Sequence, residues 1–131
     1  QIYFLYEDEK DELRQIEKTL NKLIINEKIS PERITILSRH HLGKSIASKI
    51  TNFEVKQYQE GEPASGITFS SIRKFKGLEN DIIIVADNDD YAEGNTDLHL
   101  LYVAMSRAAC KVWVFESLEA QIARQELIAS K

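Results

Sequence analysis

The chain has 131 residues, with 17 basic and 21 acidic side chains and a formal charge of -4. That suits one domain and argues against a free-standing, sequence-blind nucleic-acid binder, which ordinarily carries a basic face. At 43% hydrophobic residues it can fill a core, and a single Cys110 excludes an internal disulfide or a cysteine-rich zinc site.

Ile2–Tyr6 reads as a short buried strand. A helix follows from Asp8 to Asn26, with Leu13, Ile16, Leu20, Leu23 and Ile24 at helical spacing and acids near its positive N-terminal end. Ser30-Pro31 breaks it. Arg33–Ser38 is the next strand, Lys44–Ile50 a short helix and Phe53–Tyr58 a further strand. Gly61, Pro63, Ser65 and Gly66 mark a turn before a strand over Ile67–Ser70. Ile82–Ala86 is apolar without alternation, the pattern of a central strand covered on both faces. After the polar loop Asp89–Asn95, Thr96 can cap a helix from Asp97 to Ala108, with Leu98, Leu101, Tyr102 and Met105 on one face and Tyr102 expected in the core. Val112–Phe115 is the last strand and Leu118–Ala129 the last helix. This alternation predicts an α/β fold: a mostly parallel sheet with helices on both faces.

No apolar run approaches membrane-spanning length and no signal-peptide pattern is visible, so a reducing, cytoplasmic setting is the default. The chain opens at Gln1 and its only methionine is Met105, which makes an excised domain the expectation.

Two segments imitate other sites. Ser38-Arg39-His40-His41-Leu42-Gly43-Lys44-Ser45 approaches the phosphate-binding pattern G-x-x-x-x-G-K-[ST] between a strand and a helix, and the strand ending at Asp87 could pass for its Mg²⁺ partner. Ser38, however, stands where a glycine torsion is needed. A self-sufficient NTPase using residues 38–45 is one alternative this leaves open. Leu5-Tyr6-Glu7-Asp8-Glu9 resembles the acidic strand end of phospho-receiver domains, but the aspartate and lysine that such domains need on later strands are missing. His40 and His41 are adjacent, with no other ligand at metal spacing, so no metal site is expected.

The strongest pattern is a pair of runs. Ser71-Ile72-Arg73-Lys74-Phe75-Lys76-Gly77-Leu78-Glu79 resembles motif V of UvrD/Rep-type superfamily 1 helicases, T-x-H-x-x-K-G-L-E. Leu101-Tyr102-Val103-Ala104-Met105-Ser106-Arg107-Ala108 resembles their motif VI, L-Y-V-A-x-T-R-A. Ser71 replaces the usual threonine, Arg73 the histidine and Ser106 the second threonine, and the upstream Thr96-Asp97-Leu98-His99 lacks the customary Glu and Arg. Both runs are expected near the carboxyl ends of strands, where doubly wound sheets bind ligands.

The resemblance implies a single domain over residues 1–131: the second, C-terminal RecA-like domain of such a helicase, a three-layer sandwich without a P-loop of its own. It implies ATP with Mg²⁺, held mainly by an N-terminal RecA-like partner domain expected upstream of Gln1. Glu79 would contact the nucleotide sugar beside Gly77, and Arg107 would be a finger on the γ-phosphate, an effect worth about 10³–10⁵ in rate. Read without the motif, Arg107 is a helix-end charge worth under about 1 kcal/mol. The resemblance also implies that Ser71, Arg73 and Lys76 contact single-stranded DNA, with Arg39, after the strand ending at Ser38, near the DNA path. Only a short segment separates Arg39 from motif V, where larger members insert a helical subdomain, so a compact, insertion-poor member or one with the insertion deleted is implied. A further alternative is a RecA-like domain that has lost the motor role and serves as a protein-interaction module.

Overall fold

The structure is a computed structural model and describes residues 2–130. Six strands form one sheet: β1 Ile2–Tyr6, β2 Ile34–Ser38, β3 Val55–Gln57, β4 Ile67–Ser71, β5 Asn80–Asn88 and β6 Ala108–Ser117. Their order is β1-β6-β5-β2-β4-β3, and every neighbouring pair is parallel. Helices α1 (Glu9–Asn21), α2 (Asn95–Met105) and α3 (Leu118–Ala129) cover its two faces.

The uninterrupted apolar run of β5 explains the layering. Ile82, Ile84 and Ala86 join Ile16 and Leu20 of α1, and Leu23 of the turn that follows it, in one core. Ile83 and Val85 point the other way and join Leu98, Leu101 and Ala104 of α2 and Ala120 of α3. Alternation along the strand therefore feeds two separate cores. Asp8 caps α1 by accepting from the Asp11 N–H at 2.8 Å, and a π turn over Lys22–Asn26 extends that helix to the expected end. On the second face, the fully buried Glu116 carboxylate is answered by Arg124 at 2.7 Å and by the Tyr91 hydroxyl at 3.0 Å. The Arg124 guanidinium also lies 4.2 Å from the centre of the Tyr3 ring.

Several expectations change. β1 is an edge strand, with Ile2 48% and Leu5 43% exposed, because only β6 pairs with it. The expected helix over 44–50 is two 3₁₀ turns, Leu42–Lys44 and Ile46–Lys49. α2 starts at Asn95 after Gly94, which has φ +59° and makes no side-chain cap, so Thr96 lies inside the first turn. The helix ends at Met105, leaving Arg107 in the turn before β6. Tyr102 is 42% exposed and does not belong to the core.

Candidate functional site

β4 delivers the chain to Ser71, and the Ile72 N–H donates to the Ser38 carbonyl at 2.9 Å, extending the ladder by one residue. The segment then winds into tight turns, with Phe75 N–H on Ser71 O at 3.2 Å and Leu78 N–H on Phe75 O at 3.1 Å. Ile72 and Phe75 are buried in the second core, and Tyr58 meets the Phe75 ring edge-on at 5.7 Å. Those two apolar anchors leave Arg73, Lys74 and Lys76 exposed. The Ser71 hydroxyl accepts from the Lys74 N–H at 3.4 Å, so this side chain closes the turn.

Gly77 has φ +79°, a conformation that L side chains rarely adopt, and nothing lies within 4 Å of the position a Cβ would take. Its glycine therefore serves the backbone torsion rather than a close approach within the chain. The turn it permits carries Glu79, exposed, to the start of β5.

Asn80 joins the two runs. Its N–H donates to the Arg107 carbonyl at 3.0 Å. Its Nδ2 donates to the Glu32 carbonyl at 3.0 Å and to Thr35 Oγ1 at 2.9 Å, and its Oδ1 accepts from the Asp81 N–H at 2.8 Å. Glu79 and Arg107 thus stand at the amino ends of β5 and β6. This corrects the expectation of carboxyl ends: the first run starts at the carboxyl end of β4 but crosses to the opposite, amino end of the strands. Asn80 escaped sequence reasoning because its partners lie 45 and 48 residues away and no local pattern announces them.

Two grooves border the first run. Arg73, Lys76 and Arg107 line one, beside Ile72, His99 and Val103. Glu79 lines the other, with Lys56, Tyr58 and Glu62. Among the described residues, no ion pair or side-chain hydrogen bond engages Arg73, Lys76 or Arg107, and the buried Nε of Arg107 has no partner. The buried Nε of Arg39 is open in the same way.

Arg39 stands apart from this cluster. It pairs with Asp89, donates to the Asp90 carbonyl at 2.9 Å and carboxylate at 3.2 Å, and lies 3.7 Å from the Asp97 carboxylate. Burial works against its charge, yet Asp89, Asp90 and Asp97 hold its pKa above the ordinary arginine value. Its cation is committed to the loop before α2 and to the first turn of that helix.

The P-loop look-alike is closed. Ser38 and Ser45 hydroxyls both donate to the Asp87 carboxylate, and the Ile46 N–H donates to it at 2.9 Å. The N–H groups of Lys44 and Ser45 turn inward to the His41 carbonyl at 3.1 Å. Donors that a phosphate cradle must leave free are used by the chain itself. Asp87, at φ +64°, gives its own N–H to buried Glu12 at 2.8 Å. Burial lifts the Glu12 carboxyl to about 8 against this donor, helped by the neighbouring Asp87 and Asp89 charges. Among the described residues, no helix is long and apolar enough to cross a membrane.

Residues 66–115, from the start of β4 nearly to the end of β6, match the family model of the UvrD-like helicase C-terminal domain. A solved structure, the C-terminal domain of a possible DNA helicase from Lactobacillus plantarum WCFS1, shares the fold with a TM-score of 0.67. The similarity covers 91% of this chain and 74% of that one at 21% identity, which speaks to fold alone. No curated protein matches the chain. The resemblance carried by the two runs is thus met by a family model spanning both and by a shared α/β fold.

Proposed function

We propose that this chain, which carries a UvrD-like helicase C-terminal segment, is the C-terminal half of an ATP-dependent DNA helicase or translocase. In this reading it is one domain of a larger protein, and an N-terminal RecA-like domain holds most of the ATP and its Mg²⁺. The observation that carries the reading is the Asn80–Arg107 hydrogen bond, which fixes Glu79 and Arg107 side by side at the amino ends of β5 and β6.

The nucleotide supplies the free energy of phosphoryl transfer. Arg107 places a guanidinium against the negative charge that builds on the transferred group, a charge that neighbouring water would screen less rigidly. Glu79 accepts hydrogen bonds from sugar hydroxyls. Arg73 and Lys76 bind phosphates of a single strand from a turn locked by Ile72 and Phe75. Such contacts are salt-sensitive and indifferent to sequence. Arg39 has no place in this set, since its cation already answers three carboxylates.

The test is ATP hydrolysis by the parent protein with and without single-stranded DNA. Stimulation by the strand, lost with Arg73→Ala and at high salt, supports the reading. Absence of strand-stimulated hydrolysis in the wild type overturns it in favour of a protein-interaction module.

A further inference from the structure

The two edges of the sheet differ. β3 ends one side with three residues, and Lys56 sits in its middle. A short, charged edge discourages further strands. β1 ends the other side with Ile2-Tyr3-Phe4-Leu5-Tyr6, which carries no charge and no proline and keeps an unbroken register with β6. Ile2 and Leu5 are exposed there, as is Leu118, which directly follows the residue paired with Tyr6. The Leu5 carbonyl accepts from the Gln15 side chain at 2.8 Å, a partner outside the sheet, so the backbone groups of Leu5 face away from β6. Alternation along the strand gives Tyr3 the same outward direction. A groove of about 540 Å³ borders this edge, lined by Phe4 together with Gln15, Lys18 and Lys22.

We infer that this edge receives a second copy of the chain, with the two β1 strands antiparallel about a two-fold axis at Phe4. Tyr3 of each copy then stands opposite Leu5 of the other and exchanges two backbone hydrogen bonds with it, a strand N–H replacing the Gln15 amide on the Leu5 carbonyl. Opposite residues share a face, so Tyr3 covers the exposed Leu5, and Tyr6 covers the exposed Ile2. Charge selects a second copy over an unrelated strand. Because Gln15 reaches Leu5, α1 runs back along β1. A helix rises about 1.5 Å per residue, so Lys22 stands roughly 10 Å beyond Gln15, level with Ile2. At that level Glu7 of the second copy emerges just after its Tyr6. Both side chains are exposed. Among the described residues Lys22 has only Glu27, at 3.9 Å, and the Glu7 carboxylate has no ion pair. The two-fold axis makes the match twice.

The experiment is sedimentation equilibrium of the whole chain over a concentration series, for the wild type, Glu7→Lys, Lys22→Glu and an equal mixture of the two variants. A reversible dimer is expected in the wild type. Association should weaken roughly tenfold or more in either variant alone and recover in the mixture, where every lysine again faces a glutamate. Amide exchange at Tyr3 and Leu5 should slow as concentration rises, because those N–H groups enter the new ladder. A wild-type chain that stays monomeric throughout overturns the inference. So does a dimer that both variants keep at wild-type strength, a mixture that fails to recover, or exchange at Tyr3 and Leu5 that is independent of concentration.

Discussion

The backbone N–H of Asn80 donates to the carbonyl oxygen of Arg107 at 3.0 Å. This bond ties the residue after Glu79 to the residue proposed as the finger, and the Asn80 side chain anchors the pair to Glu32 and Thr35. Without the side chain, the Thr35 hydroxyl and the Glu32 carbonyl lose a donor. Asn80→Ala is expected to destabilise the chain by about 1–3 kcal/mol in urea unfolding. In the parent protein it should also slow ATP hydrolysis, because both Glu79 and Arg107 lose their support. Unfolding unchanged within error would mean that the anchor carries no weight.

Arg39 separates two readings of a basic residue at a strand end. Its partners Asp89 and Asp90 are 62% and 57% exposed, so solvent screens much of the attraction. Arg39→Ala is expected to cost about 1 kcal/mol of stability and to leave affinity for single strands near the wild-type value. Arg73→Ala should do the reverse. Loss of strand affinity in a stably folded Arg39→Ala protein would return Arg39 to the DNA path.

Glu12 makes stability depend on pH. Its folded pKa is raised, mainly by burial, from an ordinary 4.5 to about 8. Between those values the folded chain keeps a proton that the unfolded chain has released. The stabilisation is therefore complete below about 4.5 and is lost as pH rises through about 8. Glu12→Gln keeps an acceptor for the Asp87 N–H and removes the titration. Denaturation midpoints measured from pH 5 to pH 9 should fall less steeply in the variant, with the largest gain at the alkaline end. Parallel profiles would assign the pH dependence to other groups.

The parts of the fold legible in the sequence were those decided by burial pattern. The run Ile82–Ala86 announced a strand with both faces covered, and Ile16, Leu20 and Leu23 announced the inner face of α1 and of the π turn that extends it. Apolar composition could not tell that β1 sits at an edge, since that depends on which strands pair. The start of α2 was misplaced because Gly94 turns the chain through a positive φ instead of by a side-chain cap. In the candidate site, the glycine and the cations of the first run were legible as a motif, and the structure exposes those cations as a group. The commitment of Arg39 to acids some 50 residues on, and the hub at Asn80, were not legible, because both are long-range contacts.

Arg107 is proposed to act on ATP held by another domain. The most direct measurement is single-strand-stimulated ATP hydrolysis by the parent protein with Arg107→Ala, alongside ATP binding by the same variant. A fall in kcat of about a thousandfold or more is expected, with ATP binding retained. Hydrolysis at the wild-type rate would contradict it and reduce Arg107 to a charge at the end of α2.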